Sequence, residues 1–195
     1  MTDAPQASTA PTRGARERIL GAAGPLFYEF GFAAVGIDRI IAEAGVAKAS
    51  LYAHFDSKDD LVVAYLRESN DAFWAWIDGS VDPDTNPADA LVEIFELIEA
   101  QATSSSCFGC TFQVTAAEFP DVAHPAHAVA ADHKRSVLAR FASLARAAGA
   151  RAPDTLAAHL LIVMDGAWAD ARVFGADNHV AGLGDMARTL IDARR

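Results

Sequence analysis

The stretch that decides the fold is RIIAEAGVAKASLYAHFDSKDDL, residues 39–61. Its first part is apolar at helical spacing and ends at Gly45, a residue type that commonly terminates helices. After a short turn, Leu51 and Phe55 resume the apolar pattern. Two helices of about two turns each, joined through one glycine, can cross at a steep angle. The pattern therefore predicts a helix–turn–helix. Its small core is predicted to contain Ile40, Ala44, Val46, Leu51 and Phe55.

The second helix of this motif carries residue types that suit the major groove of DNA. Ala49 and Ala53 are small, so the helix backbone can approach base edges closely. Hydroxyl, imidazole and ammonium groups on the same segment suit phosphate oxygens and base edges, and the start of the following helix also attracts phosphate. These candidate contacts are Lys48, Ser50, Tyr52, His54 and Lys58.

Helical periodicity continues along the rest of the chain, and strand signals are scarce. We predict an all-α protein of about nine helices: a three-helix head and a larger helical body. The first helix is expected to span Arg13 to Phe30 with a kink at Pro25, and Ser57 is expected to cap the fourth. Later helices are predicted near 88–102, 111–119, 125–148, 153–174 and 184–193, with a loop at 81–87.

Three segments follow from this pattern. Residues 1–12 are rich in Ala, Pro, Ser and Thr and are predicted to be a disordered tail. Residues 13–60 form the predicted head, and residues 61–195 the body. No stretch reaches the roughly 20 apolar residues of a membrane span, and the N-terminal segment lacks the apolar region of a signal peptide. A cytoplasmic location is therefore expected, in keeping with only two cysteines.

The charge is distributed unevenly between the head and the body. The chain has 195 residues and a net charge of -10. If this charge were spread evenly over the surface, it would argue against nucleic acid as a partner. Residues 1–58 hold six basic and six acidic residues, whereas the remainder holds 10 basic and 20 acidic ones. The excess acid thus lies in the body, and the head is neutral with local cations. We expect the head to face DNA, with salt-sensitive binding.

Residues 13–61 resemble the DNA-binding domain of TetR/AcrR-type transcriptional regulators. The matching features are R-x-x-I-L-x-A-A, L-F and G-F, followed by I-D-x-I, A-G-V-x-K-x-x-L-Y-x-H-F and S-K-x-x-L. The resemblance implies a ligand-responsive regulator, expected to be a repressor, that binds a palindromic operator as a homodimer. It also implies a small-molecule pocket in the body and a dimer interface formed by the last two helices. Positions that contact DNA in such proteins are occupied here by Lys48, Ser50, Tyr52, His54 and Lys58.

The sequence departs from the family pattern at the start of the second helix. Val35 and Gly36 replace the usual hydroxyl residues, which leaves the Gly36 amide as the candidate phosphate contact. Ala47 replaces a frequent Ser, and Arg39 is a candidate substitute for the lost contacts. The predicted DNA-binding set therefore comprises Gly36, Arg39, Lys48, Ala49, Ser50, Tyr52, His54 and Lys58.

The effector pocket is predicted from large apolar residues on the helices of the body. Phe95, Phe112, Met164 and Trp168 are expected to line it, with Gln113 as a polar contact. Further polar candidates are Glu118, His133 and Asp165. No nucleophile–base pair or carboxylate pair stands at a recognisable spacing, so neither enzymatic activity nor a cofactor is predicted.

Two cysteines permit three interpretations. Cys107 and Cys110 form a C-x-x-C that could act as a redox switch. With His124 and His127 they could instead bind zinc, although the histidine spacing is short. The interpretation we favour is two small buried side chains next to Phe108 and Phe112. A cysteine-based redox- or metal-responsive regulator is thus the alternative function, and a helical ligand-binding protein that does not bind DNA is a third possibility.

Overall fold

The computed structural model describes residues 14–195, and the regular structure of that range is helical. Nine α-helices are described in this range, as the sequence predicts. A short 3-10 turn, Gly175–Asp177, lies between the last two. They are α1 (Ala15–Phe30), α2 (Ile37–Ala44), α3 (Lys48–Tyr52), α4 (Lys58–Ser80), α5 (Pro87–Ala102), α6 (Thr111–Glu118), α7 (Pro125–Ala147), α8 (Pro153–Phe174) and α9 (Leu183–Asp192). The predicted disordered tail, residues 1–12, lies outside the described residues.

Local sequence signals explain where the longer helices begin. Pro87, Pro125 and Pro153 each occupy the first turn of a helix, where the amide that proline lacks would have no intrahelical partner. Asn86 caps α5 with its side-chain oxygen, which accepts a hydrogen bond of 3.0 Å from the amide of Ala88. α1 continues as one helix through Pro25, so the predicted single helix is confirmed.

The chain divides after Leu61 into two compact units, called here the first unit and the second unit. In the first unit, α1 packs against α2 and α3. Phe27 is buried at the centre of this contact, with its ring centroid 5.2 Å from that of Phe32. The other buried members of this core include Ile19, Ala23, Val35, Ile40, Leu51 and Phe55. The core fixes the position of α3 relative to α1 and α2.

The second unit, Val62–Arg195, is built around α5, which packs against α7, α8 and α9. Its core is formed by the apolar faces of these helices, and Phe95 of α5 lies against Phe141 of α7 with the ring centroids 5.6 Å apart. Across residues 14–195, no helix is both long enough and apolar enough to cross a membrane.

The break between α5 and α6 packs closely against α8. Gly109 adopts a φ of +83°, and a Cβ atom placed there would lie 2.8 Å from the carbonyl oxygen of Trp168. The guanidinium of Arg172 also donates a 2.7 Å hydrogen bond to the carbonyl oxygen of Phe108. Only glycine meets both the backbone and the space requirement here. The centre of the C-F-G-C sequence therefore has a structural explanation.

Candidate nucleic-acid interface

The predicted helix–turn–helix is formed by α2, a turn and α3. Gly45 ends α2 in the left-handed conformation, with φ +60° and ψ 41°. The amide of Gly45 donates to the carbonyl of Ala42, and that of Val46 donates to the carbonyl of Ile41. These bonds satisfy carbonyl groups at the end of α2. Three residues thus connect the two helices, and α3 begins at Lys48.

The short helix α3 has one buried and one exposed face. Leu51 is fully buried and Phe55, just beyond the helix, is buried with it. On the opposite face, Lys48 and Ala49 are exposed, and the Tyr52 side chain is 45% exposed. The predicted core is confirmed for Ile40, Ala44, Leu51 and Phe55, whereas Val46 is only half-buried. The remaining predicted DNA contacts on this segment are Ser50, which is half-buried, and His54, which is exposed.

The departure from the family pattern at Val35 and Gly36 also has a structural reason. Val35 is completely buried in the core of the first unit, a position that suits an apolar side chain. Gly36 is the N-cap of α2 and is exposed, but it has no side chain to cap the helix. Its backbone amide is the group that remains for an anionic partner.

Three cations of the first unit lie among the predicted DNA contacts, and each has a neighbour within the unit. The guanidinium of Arg39 lies 4.3 Å from the ring centroid of Phe30. The ammonium of Lys48 lies 3.3 Å from Oδ1 of Asp38. Nζ of Lys58 donates a 2.5 Å hydrogen bond to the carbonyl oxygen of Phe32. Both Arg39 and Lys48 are exposed, whereas Lys58 is half-buried.

Ser57 caps α4, as the sequence predicts. Its Oγ accepts a 3.0 Å hydrogen bond from the amide of Asp60 and donates one of 2.7 Å to Oδ2 of the same residue. The cap fixes the first turn of α4 and with it the position of Lys58.

The residues predicted to bind an effector lie in two places in the second unit. Phe95, Met164 and Trp168 are buried in its hydrophobic core. Phe112 stacks on the imidazole of His133, with ring centroids 3.7 Å apart. The side chain of Gln113 donates a 3.0 Å hydrogen bond to the carbonyl oxygen of Asp165. Three of the five residues thus lie in the packed core, while Phe112 contacts the His133 side chain and Gln113 contacts the backbone of Asp165. Their effector role stays a prediction.

A cavity of about 380 Å³ lies between α4 and α7. His133 lines it, as do residues that the sequence reasoning did not single out. The lining residues are Arg67, Asn70, Asp71, Trp74, Val129, Asp132, His133 and Ser136. Their spacing of three or four along each helix places them on one face, but that signal does not reveal which helix lies opposite. None of the five predicted effector residues lines this cavity.

His133 is held neutral in the wall of the cavity. It is buried, and Nδ1 lies 3.0 Å from Oδ1 of Asn70. An amide oxygen only accepts hydrogen bonds, so Nδ1 carries the proton and donates it. Burial lowers the pKa of His133 to about 3, and the nearby charge of Lys134 contributes to the same shift. The side chain therefore presents an uncharged imidazole near neutral pH.

Polar groups also surround Lys134 within the second unit. Its ammonium forms an ion pair with Oδ1 of Asp165 and lies 3.6 Å from Sγ of Cys110. Burial raises the pKa of the Tyr65 phenol, which faces Thr111 and Ser69. The second unit thus contains a partly buried polar region formed by α4, α6, α7 and α8.

The two cysteines are thiols and form no disulfide with each other. Cys107 is buried in the hydrophobic core, and its Sγ accepts a 3.4 Å hydrogen bond from the amide of Gly109. Cys110 packs against the same core and is half-buried. Within residues 14–195, no three His, Cys, Asp or Glu side chains are grouped so that they could hold a metal ion. Packing explains the positions of both thiols, and no observation favours the redox alternative.

An apolar stripe on α8 faces solvent. Ile162 and Val173 are 68% and 72% exposed, and Gly166 and Ala169 are exposed between them. The spacing of four, three and four residues places all of them on one side of the helix. On α9, Met186 is also exposed. A stripe of large and small apolar residues is typical of a helix that packs against another protein surface.

Comparison with known proteins agrees with this architecture. Residues 19–65 match the family model described as bacterial regulatory proteins, tetR family. A solved structure from Streptomyces avermitilis, assigned to the TetR transcriptional regulators, is 38% identical, with 93% of this chain and 98% of that chain covered and a TM-score of 0.83.

Curated relatives match only part of the chain. The transcriptional regulator LmrA of Bacillus subtilis (strain 168) is 32% identical over 97 residues, 49% of this chain and 48% of LmrA. The transcriptional repressor KstR2 of Rhodococcus jostii (strain RHA1) is 40% identical over 67 residues, 34% of this chain and 33% of KstR2. The chain thus spans half or less of these curated relatives but nearly all of the solved structure. It belongs to the TetR family of helix–turn–helix transcriptional regulators.

Proposed function

We propose that this chain is a ligand-responsive repressor that binds palindromic operator DNA as a homodimer and is released by a small-molecule effector. The observation that carries the proposal is the exposed face of α3, with Lys48, Ala49 and Tyr52 directed to solvent above a packed core. A short helix with small and cationic residues on its free face suits the major groove.

The proposed DNA contacts divide into two classes. Lys48, Ala49 and Ser50 stand at the start of α3, the end of a recognition helix that reaches base edges. The flanking groups are assigned to phosphates, which position the protein without reading sequence. The phosphate contacts are Gly36, Arg39, Tyr52, His54 and Lys58.

The proposed dimer forms through α8 and α9. The exposed stripe from Ile162 to Val173 supports this, since a solvated apolar stripe gains free energy when a second copy covers it. Gly166 and Ala169 within the stripe allow the two helices to approach closely. In the dimer, two α3 helices about 34–36 Å apart, or a multiple of that distance, would read two half-sites of one palindrome.

The effector is proposed to bind in the second unit. The cavity between α4 and α7 and the polar region around Lys134 and Asp165 support this placement. Phe112 stacks on His133 of the cavity wall, and Gln113 donates to the Asp165 carbonyl. Phe95, Met164 and Trp168 would then support the pocket from the core. Binding of the effector would change the spacing of the two α3 helices. Effector would then lower the affinity for DNA, and DNA would lower the affinity for effector by the same factor. A repressor role is proposed by analogy with KstR2 of Rhodococcus jostii.

Selection of DNA by the full-length protein tests the proposal. The protein is incubated with a randomised duplex library at low salt, and the bound duplexes are amplified and sequenced. A palindrome with half-sites about one helical turn apart, or a multiple, is expected. Affinity for it should fall steeply with salt, with a log–log slope near -0.9 for each phosphate contacted. Enrichment of no sequence, together with no retardation of any duplex at low salt, would refute the proposed function.

A further inference from the structure

One exposed ion pair joins the two helices of the helix–turn–helix. Nζ of Lys48, the first residue of α3, lies 3.3 Å from Oδ1 of Asp38 in the first turn of α2. The Lys48 side chain is 58% exposed and that of Asp38 is 85% exposed. Because neither side chain is packed against the core, both remain accessible to a partner. The pair therefore occupies the surface assigned above to DNA.

The neighbour of Lys48 differs in kind from those of the other two cations. Arg39 lies over the Phe30 ring and Lys58 donates to a backbone carbonyl, and both neighbours are uncharged. Lys48 instead faces a carboxylate, whose full negative charge opposes the field of the ammonium. Since residues 1–58 hold only six basic residues against six acidic ones, the loss of one cation has a large relative effect.

We propose that Asp38 sets the DNA affinity of this protein by competing with DNA for the Lys48 ammonium. The inference rests on the proposed DNA-binding function and adds a residue that tunes it. On binding, Lys48 exchanges the Asp38 carboxylate for a phosphate oxygen or a guanine edge, so the pair must open or be shared. Asp38 thereby weakens binding to all duplexes and limits occupancy of non-operator DNA.

The expected effect is modest and measurable. An exposed pair of this kind stabilises the free protein weakly, so Asp38→Asn should tighten DNA binding by about two- to fivefold. The amide keeps the shape of the side chain but removes its charge. Removal of any negative charge near DNA also reduces repulsion of phosphates, and the experiment must separate this general effect from competition for Lys48.

A double-mutant cycle makes the separation. Dissociation constants are measured by fluorescence anisotropy for the full-length wild type, Asp38→Asn, Lys48→Ala and the double variant. The probes are the duplex selected from the randomised library and a scrambled duplex of the same composition. If Asp38→Asn acts only by reducing repulsion of phosphates, it raises the DNA affinity by the same factor whether or not Lys48 is present. Competition instead predicts that Asp38→Asn increases the DNA affinity by a larger factor in the wild-type background than in the Lys48→Ala background. The two factors should differ at least about twofold.

Glu43→Gln is the matched control, because it removes the same charge from an exposed position of the same helix, α2. Its gain should be smaller than that of Asp38→Asn and independent of Lys48. Equal gains for Asp38→Asn in both backgrounds would overturn the inference while leaving the proposed function intact. Weaker binding by Asp38→Asn would also overturn it, because the carboxylate would then support DNA binding and not oppose it. If the folded wild type retards no duplex at low salt, the proposed function itself fails.

Discussion

Nζ of Lys58 donates a 2.5 Å hydrogen bond to the carbonyl oxygen of Phe32, 26 residues earlier in the chain. The bond ties the first turn of α4 to the connection between α1 and α2, within the first unit. It is partly buried, so the ammonium contributes to the fold as well as to the proposed DNA surface.

Lys58→Met should therefore lower the free energy of unfolding as well as the DNA affinity. Loss of a charge-assisted hydrogen bond at a partly buried site is expected to cost about 1–2 kcal/mol. Urea denaturation monitored by circular dichroism measures this loss. If Lys58 served only to contact phosphate, the midpoint would not move and only the salt dependence of DNA binding would change.

Tyr52→Phe should weaken DNA binding without loss of stability. The side chain is 45% exposed, so removal of its hydroxyl group leaves the core unchanged. Loss of one hydrogen bond to phosphate is expected to raise the dissociation constant by about fivefold. The factor should be the same for the selected and the scrambled duplex, because a phosphate contact does not read sequence. Anisotropy titrations with both duplexes test this, and an unchanged affinity would remove Tyr52 from the proposed contacts.

Ile162→Asp should dissociate the proposed dimer. Ile162 is the first residue of the exposed stripe on α8, and a charge there would be desolvated without a partner when two copies associate. Sedimentation equilibrium of the full-length protein measures the change. Val122→Asp is the matched control, since Val122 is also strongly exposed but lies in the connection between α6 and α7 and is not part of the stripe. A dimer that tolerates Ile162→Asp as well as Val122→Asp would place the interface elsewhere.

His133 should make stability depend on pH in the acidic range. Burial lowers the pKa of His133 from 6.5 to about 3, so below pH 6.5 the unfolded chain takes up a proton that the folded protein does not. The contribution of the neutral His133 to the free energy of unfolding should therefore be complete above pH 6.5. It should decrease toward pH 3 by up to about 1.4 kcal/mol for each pH unit.

His133→Phe keeps an aromatic ring against Phe112 and removes the titrating group. Urea titrations between pH 4 and 7 should show a shallower pH dependence for this variant than for the wild type. The same slope in both proteins would contradict the assignment of this pH dependence to His133.

Gly109→Ala should destabilise the second unit. The added Cβ would lie 2.8 Å from the Trp168 carbonyl oxygen, and the φ of +83° is strained for alanine. A loss of about 2–4 kcal/mol in the free energy of unfolding is expected. Gly149→Ala is the matched control, because its φ is +79° but nothing lies within 4 Å of the added atom. Thermal unfolding should therefore separate the two variants, and equal losses would show that crowding against α8 contributes nothing.

Much of the fold follows from signals that act within a few residues. Gly45 takes a left-handed conformation that ends α2, and Ser57 caps α4 with its hydroxyl. Pro153 begins α8 because its missing amide costs nothing in the first turn. Such signals are readable in the sequence, since the interacting groups are near neighbours along the chain. The helix–turn–helix could be predicted for the same reason.

The contacts of the proposed sites depend on groups that are distant in sequence. The Phe32 carbonyl that holds Lys58 is 26 residues away, and Asn70 is 63 residues from His133. Periodicity shows which face of a helix is apolar, but it does not say which helix lies opposite. The cavity between α4 and α7 was therefore not predicted, and Phe95 proved to pack in the core.

The charges of the chain show which properties depend on sequence and which depend on tertiary structure. The sequence alone determined that the excess acid lies beyond residue 58 and that the first 58 residues carry six cations and six anions. Only the tertiary structure decided which of those charges are neighbours, and it placed Asp38 against Lys48 across the turn between α2 and α3. The physical reason is that electrostatic interaction depends on distance in space, which helix packing sets and sequence separation does not.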